Sequence, residues 1–256
     1  MKKNIFCLLI LVAFLACGGG KPRTVPGQIQ PGSAEYLTSE GIGHLNNGRL
    51  DLAKKSLLEA LQKKPRLEPA LNALGLVYAY QRDFVKASNT LNRLIQISPK
   101  FYDAYNLLGT VYTELGNYQQ AKEKLLVAAN ADEYLTPENA FANLAVLEIK
   151  FEKYDSALRY IEKGMLLNRR FAPLYNLNGL ALENLGKLAD ASENYEKAIA
   201  LITTPDPGYL INSARVLSKL GDKKKALDNL ELALGKARDA AQKAEIIKMI
   251  KILEGG

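Results

Sequence analysis

Tryptophan is absent from this 256-residue chain, histidine occurs once and cysteine twice. Each scarcity closes a class of chemistry. Both cysteines, Cys7 and Cys17, fall in the first 17 residues. The remainder can build neither a disulfide framework nor a thiolate metal site, and it offers no cysteine nucleophile. The lone histidine, His44, lies in a helical pattern where packing explains it better than catalysis. No Gly-rich phosphate loop occurs, because Gly18-Gly19-Gly20 precedes no strand or helix pattern. The carboxylates are scattered along helical faces and form no acid–base constellation. The chain therefore reads as a non-enzyme, with no metal site, no cofactor and no small-molecule substrate. A dense basic stripe is missing too. The net charge of +7 is spread over many helices, which argues against a nucleic-acid partner. The longest basic run, Lys223-Lys224-Lys225, opens a helix and reads as a solvated face.

No hydrophobic run is long enough to span a bilayer. The longest, Ile5 to Ala16, has 12 residues, whereas a ~30 Å hydrocarbon core needs ~20. With Lys2 and Lys3 before it, this stretch has the form of a secretory signal over residues 1–16. It ends Phe14-Leu15-Ala16-Cys17, which resembles a bacterial lipobox, although Phe14 stands where leucine is usual. The resemblance implies cleavage before Cys17 and lipidation of that residue. Several acyl chains on Cys17 would anchor the protein firmly, because each buried methylene contributes ~0.8 kcal/mol. Gly18 in place of aspartate implies sorting to the outer membrane, facing the periplasm. Residues 17–33 then form the lipidated N-terminus and a tether. Half of the stretch from Gly18 to Ser33 is glycine or proline, and its span as a flexible chain is roughly 20–24 Å.

From Ala34 onward the chain repeats. Alanines recur at Ala53, Ala87, Ala121, Ala157, Ala191 and Ala226, with spacings of 34, 34, 36, 34 and 35. Twelve residues before each lies a small residue: Gly41, Gly75, Gly109, Ala145, Gly179 and Ala214. Four residues after each lies Leu57, Leu91, Leu125, Ile161, Tyr195 or Leu230. A period of about 34 with this pattern is the tetratricopeptide signature. Each repeat is a helix A and a helix B. The small residue of helix A permits close approach, and Gly48, Gly116, Gly186 and Gly221 mark turns at one common offset.

The fold expected is all-α: an α-α superhelical solenoid of six repeats with a C-terminal capping helix. The repeats occupy residues 34–67, 68–101, 102–137 (with an insertion), 138–171, 172–206 and 207–238. Residues 239–256 form the cap and tail, with Ala240, Ala244, Ile247 and Ile250 at helical spacing as its packing face.

In such solenoids helix A lines the concave face, at its second, fifth, ninth and twelfth positions. The expected groove contains Thr38, Ile42 and Leu45 of repeat one, with Leu76 and Tyr80 of repeat two. That patch suits a hydrophobic peptide segment or a partner helix. Asn72, Asn106 and Asn176 occupy position five of their repeats, where an amide can pair with an extended peptide backbone.

The signal, lipobox, tether and six repeats together resemble the type IV pilus biogenesis lipoproteins of the PilF/PilW kind. The stretch Tyr134-Leu135-Thr136-Pro137-Glu138, followed by Asn143-Leu144, is similar to that family at the insertion between repeats three and four, as is Leu167-Asn168-Arg169. The resemblance implies a pilotin, which helps an outer-membrane secretin reach the membrane and assemble. The protein partner is then a secretin subunit or peptide segment. Two other readings share the anchor and the repeats: a periplasmic adaptor for peptidoglycan hydrolases or a protease, and a scaffold subunit of barrel assembly. The insertion is expected to loosen the stack and to place Pro137 in the first turn of the next helix.

Overall fold

A computed structural model of the protein describes residues 30–237 and 239–255. The signal segment, Cys17 and the tether up to residue 29 lie outside the described residues. Thirteen α-helices occur among the described residues, and they alternate as A and B partners. Repeat one has α1 (Ala34–Asn46) and α2 (Leu50–Lys63), and repeat two has α3 (Glu68–Tyr80) and α4 (Phe84–Ile97). Repeat three has α5 (Tyr102–Glu114) and α6 (Tyr118–Ala129), and repeat four has α7 (Pro137–Lys150) and α8 (Tyr154–Leu167). Repeat five has α9 (Ala172–Asn184) and α10 (Leu188–Ala200), and repeat six has α11 (Pro207–Leu220) and α12 (Lys223–Lys236). The odd helix is the cap, α13 (Ala240–Gly255). Architecture and class are those of tetratricopeptide repeats.

The described residues divide into two compact units, 30–143 and 144–255, with the division inside α7. In the first unit α1 packs on α2, α3 on α4 and α5 on α6, and α1, α3 and α5 also touch in succession. In the second unit α9 packs on α10, α11 on α12, and α9 touches α11. Within each unit the A helices thus lie side by side.

The residues that set the repeat frame are the core. Ala53, Ala87, Ala121, Ala157, Ala191 and Ala226 are all fully buried, and so are Leu57, Leu91, Leu125, Tyr195 and Leu230. Burying each such large side chain stabilises the fold by ~1.5–3 kcal/mol. The small residue of helix A has a contact to explain it. A Cβ on Gly109 would stand 2.5 Å from Leu125 Cγ, and one on Gly179 would stand 2.7 Å from Tyr195 Cδ1. The bulky side chain of helix B therefore sits directly on the backbone of helix A.

Between the helices of each pair the chain needs one residue in the left-handed region. Gly48, Gly116, Gly186 and Gly221 supply it with φ of 69°, 78°, 77° and 85°. At the same offset repeats two and four place Arg82 (φ 60°) and Glu152 (φ 57°). The tight turn is thus imposed by helix packing even where no glycine is present, at a cost of ~1–2 kcal/mol per residue.

One expectation changes. The cap packs through Ile246, fully buried, with Met249, Ile250 and Leu253 beside it. Ala240, Ala244 and Ile247 of the expected packing face are exposed. The reason is a rotation of about one residue along the helix, which aims the 246/250/253 edge at the cluster around Leu217, Leu230 and Ala233. The inserted segment is itself packed. Pro137 does open α7, but Tyr134 is buried, and its ring lies 6.2 Å from that of Tyr102. Its hydroxyl donates to Asp103 Oδ1 at 3.2 Å. Burial raises the pKa of Asp103 above the usual carboxylate range, and the hydrogen bond from Tyr134 opposes this.

Candidate partner-binding face

The face formed by the A helices differs between the two units. In the first it is apolar. Leu45 and Leu76 join one hydrophobic cluster, and Ile42 packs against it half-buried. Tyr80, the last residue of α3, has 40% of its surface exposed. Thr38 is buried and donates its hydroxyl to Ala34 O at 2.7 Å, a bond within its own helix. The expected patch is therefore a mostly closed apolar floor, with Ile42 and Tyr80 as its accessible parts.

The three asparagines do not behave alike. Asn106 Oδ1 accepts from Nδ2 of Asn143, one helix A further along, at 2.8 Å. Asn176 Oδ1 accepts from Asn212 in the same way at 3.0 Å. In both cases position five of one repeat takes its donor from position six of the next. These two amides join neighbouring A helices through their oxygens. Asn72 breaks the pattern. Position six of repeat three is Leu107, which has no donor to give. Asn72 Oδ1 is thus left buried and without a hydrogen-bond partner. A buried unpaired acceptor costs about 1–3 kcal/mol.

In the second unit the same face carries charge. Glu183, at position twelve of repeat five, has a side chain only 6% exposed. Arg215 of α11 donates to it twice, from Nε and Nη2, each at 2.8 Å. Lys219 adds a bond of 2.7 Å, and the buried Tyr195 hydroxyl donates at 3.1 Å. Burial alone would raise the carboxyl of Glu183, but the bonds and charges of Arg215 and Lys219 win and hold it down at about 2. Burial and the neighbouring Glu183 carboxylate push the Tyr195 phenol upward. Reading each helix alone misses this cluster, since its members are 32 and 36 residues apart. The signal available was positional. Glu183 and Arg215 fall on the twelfth and ninth positions of helix A, the only charges at those two positions in any repeat.

Two tetratricopeptide-repeat models match the chain, over residues 90–123 and 172–203. The chain is 27% identical over 129 residues to the type IV pilus assembly protein PilF of Pseudomonas aeruginosa, covering 50% of this chain. That match spans 51% of PilF, so the alignment reaches about half the length of the curated relative. The structure from the functional characterisation of P. aeruginosa PilF superposes with a TM-score of 0.67 at 20% identity, covering 84% of this chain and 97% of that one. PilW, described as a widely conserved type IV pilus biogenesis factor, superposes at 0.71 with 17% identity, covering 84% and 98%. The chain is a tetratricopeptide-repeat protein similar to these pilus assembly proteins. No helix among the described residues is long and apolar enough to cross a membrane.

Proposed function

We propose that this tetratricopeptide-repeat chain is a scaffold and not an enzyme, holding a protein partner on its A-helix face while Cys17 anchors it by lipid to the periplasmic side of the outer membrane. The partner in this reading is a type IV pilus secretin, whose delivery to the outer membrane and multimer assembly the scaffold promotes. The observation that carries the reading is the sequence similarity to a type IV pilus assembly protein over half of the chain.

The chemistry of the face agrees with it. An apolar floor at Leu45 and Leu76, with Ile42 and Tyr80 as its accessible parts, suits the apolar side of a partner segment. Asn72, at position five beside that floor, has an acceptor that the fold leaves unpaired, and a turn of its side chain would bring it to a partner N–H. Asn106 and Asn176 serve the face indirectly, by fixing the spacing of adjacent A helices. Thr38 belongs to the floor by position and not by hydrogen bonding. Lipidation at Cys17 would bring the face close to the membrane, within the roughly 20–24 Å span of the tether.

Deleting the gene tests the reading. The expected result is loss of heat- and detergent-resistant secretin multimers and of twitching motility. Normal multimers in the deletion strain would refute it. An adaptor for cell-wall hydrolases would instead alter peptidoglycan turnover, and a barrel-assembly subunit would deplete many outer-membrane proteins together.

A further inference from the structure

The Glu183 cluster holds more positive charge than its own fold can use. Two cations converge on one carboxylate, and Tyr195 contributes no charge. Neither Arg215 nor Lys219 has a second anionic partner among the described residues. Both reach solvent, with side chains 36% and 49% exposed, while Glu183 beneath them is closed off at 6%. Arg215 spends Nε and Nη2 on Glu183 and its guanidinium also meets the Tyr195 hydroxyl, whereas Lys219 gives one of its three N–H donors to Glu183 and keeps two.

Stability alone does not call for this arrangement. The ninth and twelfth positions of helix A are Ile42 and Leu45 in repeat one, and Leu76 and Ala79 in repeat two. Apolar pairs therefore serve there, and a buried ion cluster is commonly no better than such packing. The cluster instead puts a carboxylate-shaped cation fork, carrying one unbalanced charge, on the A-helix face.

We propose that Arg215 and Lys219, preset by Glu183, form a docking point for one carboxylate side chain of a protein partner on the A-helix face of repeats five and six. The residual charge is single. It matches a glutamate or aspartate better than a doubly charged phosphate, and the planar guanidinium pairs with a carboxylate edge-on. The inference rests on the A-helix face being the binding face, and it deepens that reading by naming the chemistry of one contact.

The test is fluorescence anisotropy of a labelled hexaglutamate peptide titrated with the full chain, with hexaglutamine as the neutral probe. Lys219→Gln removes the unbalanced charge and leaves the two-pronged Arg215–Glu183 pair in place. Glu183→Gln raises the local charge by one and keeps an acceptor for Arg215. Hexaglutamate is expected to bind and hexaglutamine not. Lys219→Gln should weaken binding about fivefold and Glu183→Gln tighten it about fivefold, the effect of roughly 1 kcal/mol per charge contact. Circular dichroism checks the fold of each variant, and Lys219→Gln decides alone if Glu183→Gln unfolds. Equal binding of both peptides, no effect of Lys219→Gln, or displacement by inorganic phosphate at the concentration of competing peptide would each overturn the proposal. Secretin multimers in the deletion strain report on the broader reading separately, so the two can fail independently.

Discussion

Replacing Asn72 with leucine is expected to stabilise the fold and at the same time weaken partner capture. The amide carbonyl of Asn72 is buried with no donor, because Leu107 stands where Asn143 and Asn212 stand in other repeats. An unsatisfied buried acceptor costs about 1–3 kcal/mol. A leucine of similar shape removes that penalty and adds apolar contact, so a gain of about 1 kcal/mol or more follows. The matched control is Asn212→Leu. It removes the donor to Asn176, itself buried, and creates the defect that Asn72 already has. It should cost about 1–3 kcal/mol. Urea unfolding of the two variants should therefore shift the midpoint in opposite directions. A shift in the same direction for both would refute the account of Asn72 as the unpaired member of the set. Partner binding, measured on the same variants, should fall for Asn72→Leu.

Gly109→Ala should destabilise by about 1–3 kcal/mol, since its Cβ would fall 2.5 Å from Leu125 Cγ. Gly43→Ala, with nothing within 4 Å of the added atom, should instead stabilise by about 0.5–1 kcal/mol. Thermal unfolding of the two separates packing from propensity. Glu152→Gly should stabilise by about 0.5–1 kcal/mol, because relief at φ 57° outweighs the added backbone entropy. Equilibrium unfolding in urea measures that gain. Glu183 predicts an acid limb. Its folded pKa of about 2 lies below the ordinary 4.5, so its stabilisation is complete above 4.5 and is lost as pH falls toward 2. The whole of it is on the order of 3 kcal/mol. Unfolding curves between pH 5 and 2 should be steeper in pH for the wild type than for Glu183→Gln.

The repeat frame was legible because it is written in side-chain size at a fixed spacing. Ala53 and its equivalents are fully buried, and the small residues of helix A meet the bulky residues of helix B. The cap was legible as a helix, but its orientation was not. Ile246 and Ile247 are adjacent apolar residues, and only the neighbouring cluster decides which turns inward. The turn positions at Arg82 and Glu152 were hidden, because a left-handed backbone imposed by packing leaves no mark in residue type. The site was read less completely than the fold. The asparagines at position five were visible, but their partners lie 36 or 37 residues on, so the difference between Asn72 and the others needed the packed structure. Glu183 was missed for the same reason. One acidic residue on a helix reads as solvated until Arg215 and Lys219 are brought over it.

The most direct measurement of the central claim is photocrosslinking in cells from two single sites on the full-length protein. A photoreactive residue at Tyr80 lies on helix A of repeat two, and one at Val85, 60% exposed on helix B of the same repeat, serves as the comparison. The account predicts a crosslink to a secretin subunit from position 80 and none from position 85. Equal crosslinks from both positions, or a crosslink from position 85 alone, would contradict it.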